Sequence, residues 1–352
     1  KTLEQGLLTR VGINSVSGTA IPGGLVAVQF IGGLIAFVIW GFWTARRHLS
    51  EVWRHIRGGP SSLRDEDELL PYRTAVMLGV FGSLYVVFWL HTTGMSFPVI
   101  VVFLLLIFLF YMAVCRVVAE SGFVFVDLPV NVHQFTVAIL GSGSLSPQNL
   151  LGLGLGSAFA RNWKALPMVV PAHIARLKSV MLIEGRTLFL WCVVAFGISL
   201  LIALCFTVYS GYRLGGAANF YQRIYGDGRF YGLVATWLRN STHVTGTEII
   251  FLLIGAATVM GITVARYLFP WWPLSPIGFV VAAGGTVRGA FLPIFLVWLL
   301  KVILLRAGGM KMYRSAQPLI LGILIGHIVG AALSILADVL YFPDAFHEIQ
   351  DY

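Results

Sequence analysis

The sequence predicts an all-α polytopic transmembrane helical bundle with about seven full spans plus one or two broken or re-entrant helices. Three observations carry that reading. Of 352 residues, 58% are hydrophobic and only 11% charged, where a soluble domain has about a quarter charged. The mean hydropathy is +0.85, which excludes a soluble globular enzyme. Several apolar stretches reach the roughly 20 residues that a helix needs to cross a bilayer core of about 30 Å. The roughly ten-residue alternating segments of a β-barrel are missing.

The first span is read at 20–45. Arg46, Arg47, Arg54 and Arg57 follow it and place this end in the cytoplasm by the positive-inside rule. Within 46–57, Leu49, Val52, Trp53 and Ile56 fall on one helical stripe, predicting a separate amphipathic helix in the membrane interface. Spans two and three, at 74–93 and 97–118, form a tight outer hairpin, and Arg116 closes the third on the inside.

The stretch 119–186 differs in kind. It carries four prolines, the run Gly152, Gly154, Gly156, and the cations Arg161, Lys164, Arg176 and Lys178. It reads as an irregular region, re-entrant over 136–160 and then cytoplasmic. Such backbone survives at membrane depth only inside protein or along a cavity. The glycine run has no strand, helix and downstream acid of a dinucleotide site around it.

Span four is placed at 187–210 and an outer loop at 211–247. In that loop Phe230, Tyr231, Val234, Trp237 and Leu238 share a face, so 228–240 is read as a second interfacial helix. Thr245 and Glu248 have capping-box spacing, which starts span five near 246, with Arg266 at its inner end near 268. Ser275 and Pro276 start a short helix over 276–287, which must cross or nearly cross for the following charges to lie inside. Spans at 289–306 and 317–341 complete the chain, with 306–316 as a cytoplasmic loop.

The excess of 24 Lys and Arg over 15 Asp and Glu marks cytoplasmic loops, not nucleic-acid binding. Cys115, Cys192 and Cys205 are scattered within apolar stretches, which suits neither a disulfide framework nor a zinc site. No catalytic or metal-binding constellation appears, so the expectation is a non-enzyme without metal or cofactor. Arg116 and Glu120, four apart, stand on one face at the membrane edge. His327, Ser334 and Asp338 form one polar stripe, with His327 the deeper group and Asp338 near a wet end. His133 lies near Asn131 and Asp127 in the irregular stretch. Ionisable groups at membrane depth are costly and mark pathways, so Arg116, Glu120, His133 and His327 are the candidate pathway-lining residues. Each also has a structural reading, as an intrahelical pair or a satisfied bundle histidine. Gly322, Gly326 and Gly330 predict close helix packing. Lys1 opens without a signal-peptide pattern, and 1–352 is read as one transmembrane domain, the C-terminal part of a longer chain.

The run Arg116-Val-Val-Ala-Glu120-Ser-Gly122, the stretch Arg266 to Gly278 with its Pro-Trp-Trp-Pro, and Trp298 through Lys301, Arg306 and Arg314 to Gly322 resemble uncharacterised bacterial membrane proteins. These are similar to the oligopeptide transporter superfamily. The resemblance implies a bundle with internal repeats and broken helices, in a bacterial inner membrane, with proton-coupled uptake of peptides or small polar solutes. It supplies no substrate-binding residue. The rival expectation is a non-transporting subunit of a larger membrane assembly. Expected partners are membrane lipid, an unspecified small-molecule substrate, and other membrane subunits or a homo-oligomer.

Overall fold

In the computed structural model the described residues are 2–13, 18–123, 126–160, 168–178, 184–214 and 229–341. All elements among them are helical. Six helices are long and apolar enough to cross a membrane, and the chain is an integral membrane protein. By contacts it divides into two compact units, Lys1–Arg288 and Gly289–Tyr352, where the sequence reading has a single domain.

The first unit begins with α1 (Thr2–Arg10) and α2 (Gly24–Ile56). At 1.5 Å per residue, the 33 residues of α2 extend about 50 Å. The expected interfacial helix at 46–57 is therefore no separate element. Good helix formers follow Ala45 and no breaker intervenes before Gly58-Gly59-Pro60, so the span simply continues. Arg46 and Arg57 lie over the rings of Trp43 and Trp53, at 4.4 and 4.6 Å.

Helices α3 (Tyr72–Thr92) and α4 (Phe97–Ser121) form the expected hairpin, turned at Gly94 with φ 88°. After α4 the helix is broken, and residues 126–130 form no regular element, with Val126, Leu128 and Val130 buried. Then come α5 (Val132–Leu140), α6 (Pro147–Leu155) and the single turn α7 (Ser157–Ala160). At nine residues each, α5 and α6 are about 13 Å long and neither crosses the bilayer alone. Their backbone is sheltered by protein. The Ser96 N–H donates to Asn149 Oδ1 at 2.7 Å, and the Ser142 N–H donates to the Thr242 carbonyl at 2.9 Å. The glycine run packs the hairpin onto α4: a side chain at Gly156 would meet Phe103 at 2.7 Å.

Helix α8 (Val169–Lys178) occupies part of the expected cytoplasmic loop. Arg161 and Lys164 lie outside the described residues. Next are α9 (Gly185–Leu214) and α10 (Arg229–Arg239). The apolar stripe of α10 is split. Val234 and Trp237 are buried in the core, with α10 packed on α6, whereas Tyr231 and Leu238 are exposed. Part of the face expected to meet lipid thus meets protein; the Phe230 side chain lies outside the described residues.

Helix α11 (Gly246–Leu268) starts on the expected capping box, with Thr245 and Glu248 bonded reciprocally. It packs along α2 more extensively than any other pair of helices, and the two run parallel. The buried Glu248 Oε1 accepts from the Ile21 N–H at 2.9 Å. Lower down, Gly33 faces Val259, and the rings of Trp40 and Tyr267 stand 6.0 Å apart. Between these points Gly255 lies on the Gln29 carbonyl and Gly32 on that of Leu252, so close that a Cβ has no room. Arg46 and Arg266 therefore sit toward the same end of the pair.

The short helix α12 (Pro276–Val281) has six residues, about 9 Å, and does not cross. It stops well before the expected 287 because Gly284 turns the chain against the carbonyl of Asp127, where a side chain would clash. Two helix breaks, at 126–130 and 282–284, thus touch one another inside the unit. Helix α13 (Gly285–Tyr341) begins there.

The second unit holds the rest of α13. Its apolar stretch, Gly289–Asp338, has 50 residues, about 75 Å of helix, enough for both final spans. The expected loop at 306–316 is helical on either side of one break at Gly309, with φ 62° and ψ −157°, a conformation that only glycine adopts readily. Asp338 is buried at 8% exposure, not wet as expected.

Candidate functional site

Four elements of the first unit converge on a cavity of about 270 Å³. α2 contributes Phe37 and Trp40, and α4 contributes Arg116 and Glu120. Thr263, Arg266 and Tyr267 come from α11, and Ser275, Pro276 and Ile277 from the start of α12. The site lies toward the C-terminal ends of α4 and α11, and Arg266 in the last turn of α11 also offsets the negative end of that helix dipole.

Arg116 is held on three sides. Its Nε donates to Glu120 Oε1 at 2.6 Å, its Nη1 donates to the Phe37 carbonyl at 2.7 Å, and its guanidinium lies 4.1 Å over the Phe37 ring. Gly41 makes this possible, because Arg116 Nη1 occupies the space where a Cβ would project. The Arg116 and Glu120 side chains are 28% and 43% exposed, so the pair itself stabilises the fold by about 0.5 kcal/mol or less. Its value lies in fixing a cation at the cavity wall.

Arg266 is held loosely. Its Nη1 donates to the Ser275 hydroxyl at 3.4 Å, a long contact by ordinary hydrogen-bond standards. Ser275 is the N-cap residue of α12 as expected, but its side chain makes no capping bond. Thr263 gives its hydroxyl proton to the Val259 carbonyl at 2.7 Å, leaving lone pairs for any other partner. The cavity therefore combines two guanidinium groups, one carboxylate, the hydroxyls of Thr263 and Ser275, and three aromatic side chains, one of them the phenol of Tyr267. It can hold a polar group by directed hydrogen bonds while the rings cover an apolar one.

Of the four expected pathway residues, Arg116 and Glu120 are brought together here. His133 is on α5, 1% exposed, its ring edge-on to Trp237 at 6.2 Å, and it does not line the cavity. His327 belongs to the second unit, on an exposed stretch of α13. Gly322, Gly326 and Gly330 are there too, each with open space where a Cβ would be. The close packing expected of them occurs instead at Gly32 and Gly255. Sequence reading placed Arg266 and Ser275 only as a span end and a cap, and it missed Phe37, Trp40, Gly41 and Tyr267. The usable signal was the pairing of Arg266 with two rings at matching span ends.

A helical membrane protein with broken helices and a charged cavity at one end of its bundle is the class that this architecture defines. Within that class, the chain belongs to the family described as "Family of unknown function (DUF6785)", whose model matches residues 1–344. No curated protein and no solved structure matches it.

Proposed function

We propose that this is a transporter-like protein of a bacterial inner membrane, taking up a small polar solute through the Arg116–Glu120–Arg266 cavity. The observation that carries the reading is the cavity itself, polar, walled in part by the broken element α12, and built from residues of four helices. Discontinuous helices beside a polar site are how secondary transporters form binding sites within a membrane. The resemblance to the oligopeptide transporter superfamily, with peptides as cargo and protons as the coupling ion, belongs to the same proposal. The test is uptake of labelled amino acids, dipeptides and organic anions by proteoliposomes carrying the whole protein, with an inwardly directed proton gradient. Uptake that exceeds protein-free vesicles and falls with Arg116→Ala is expected. No uptake of any of them above that background overturns the reading.

One observation favours an accessory subunit instead: the open glycine face at Gly322, Gly326 and Gly330 suits a close-packing helical partner. Co-purification with other membrane proteins at fixed stoichiometry, lost in Gly326→Leu, is the result that supports it.

A further inference from the structure

The cavity holds two cations, but only one is compensated. Glu120 is bound to Arg116 at 2.6 Å, and Arg116 also spends donors on the Phe37 carbonyl. Arg266 meets the neutral Ser275 hydroxyl at 3.4 Å, and among the described residues no carboxylate lies within ion-pair reach of it. A guanidinium presents five donors in a planar fork that matches the two oxygens of a carboxylate or phosphate. One contact to Ser275 leaves most of that fork unused. Beside it, the Trp40 and Tyr267 rings stand 6.0 Å apart and offer apolar surface. The volume of about 270 Å³ far exceeds the roughly 10–15 Å³ that one water needs on the same measure, and leaves room for a small aromatic acid.

We infer that the cavity is a receptor for a monoanionic oxyanion with a small apolar body, its carboxylate or phosphate oxygens received by Arg266 and its body lying against Trp40 and Tyr267. Arg116, already paired, acts as a positioning residue that keeps Glu120 from neutralising Arg266. This rests on the proposed role of the cavity as a ligand site, though not on transport. The oxyanion has two possible sources, a soluble organic acid or the phosphate headgroup of an anionic lipid, and both present the same chemistry to Arg266.

The experiment is calorimetric titration of the whole protein in phosphatidylcholine nanodiscs with benzoate and with its neutral counterpart, benzyl alcohol. Benzoate is expected to bind saturably and about tenfold or more tightly than benzyl alcohol, as a charge-assisted hydrogen bond contributes on this scale. Arg266→Gln is expected to erase that preference. Glu120→Gln is expected to strengthen benzoate binding several-fold, because it removes the one carboxylate of the site, and a damaged fold does not produce a gain. Equal binding of the two probes by the unmodified protein overturns the inference, as does a preference that survives in Arg266→Gln. Repeating the titration with one fifth phosphatidylglycerol in the nanodisc identifies the source. Weakened benzoate binding, with phosphatidylglycerol retained by the unmodified protein and lost from Arg266→Gln, assigns the site to a headgroup. Unchanged benzoate affinity assigns it to a soluble anion. Benzoate preference without any uptake in proteoliposomes leaves the inference standing and removes the transport reading.

Discussion

Helices α2 and α9 look alike as sequences: each is about 30 residues of mostly apolar side chains, and α9 is the more apolar. Their surroundings are opposite. Of the best 18-residue window in α2, 72% is buried inside the protein, and of that in α9 none is. The difference lies in the residues that hydropathy ignores. α2 carries Gly32, Gly33 and Gln29 on faces where α11 comes to backbone contact, and α11 answers with Gly255. α9 presents Leu200, Leu201 and Ile202, all exposed, and its Gly197 has open space around it. Apolarity decides that a helix enters the membrane. Small residues are what permit it to meet protein there at backbone distance, because lipid tails solvate a leucine as well as another helix does.

The strongest way to break this contrast is Gly255→Leu. With the Gln29 backbone in the way, the helices must separate, at a cost of about 3 kcal/mol or more, and loss of folded protein in detergent is expected. Gly197→Leu on α9 is the matched control and should melt like the unmodified protein. Next comes Glu248→Ala, which leaves the Ile21 N–H unpaired and removes a cap bond. A loss of about 1–3 kcal/mol is expected, read as a lower melting temperature, with Glu248→Gln recovering part of it. Gly41→Val sharpens the comparison at the cavity end: it displaces the Arg116 guanidinium, so benzoate titration should change while the melting temperature moves little. The smallest effect is expected from Leu201→Ala on α9 and Gly326→Leu on α13. Each should alter the stability of the monomer by about 0.5 kcal/mol or less, measured by thermal melting.

Features set by local spacing were readable in advance. The capping box at Thr245 and Glu248 fixed the start of α11, the i, i+4 spacing of Arg116 and Glu120 announced their ion pair, and the density of glycine and proline after 140 marked the broken hairpin. Features set by meeting partners were not. Nothing local says that Glu248 reaches Ile21 as well as Thr245, or that Arg116 and Arg266 share a cavity. The glycines show the same limit: Gly322, Gly326 and Gly330 have the better packing pattern, yet Gly32 and Gly255 make the contact, because a small residue permits approach without choosing who approaches. The end of α2 was misplaced for a different reason. A change from apolar to basic residues marks where the membrane ends, and a helix has no need to end there.

The clasp of α11 on α2, closed by Glu248 on Ile21 just ahead of α2, joins residues 227 positions apart, and this has a consequence for how the protein is made. At about 5–20 residues per second of synthesis, α2 leaves the ribosome on the order of 10–40 s before its partner exists. During that interval its glycine face and Gln29 lie against lipid or the insertion machinery, while α3, α4 and α9 enter the membrane. Assembly of the bundle is therefore gated by translation of residues 246–268. A ribosome stalled before that point should hold an α2 that crosslinks to lipid from Gly32, and one stalled well beyond it should hold an α2 that does not.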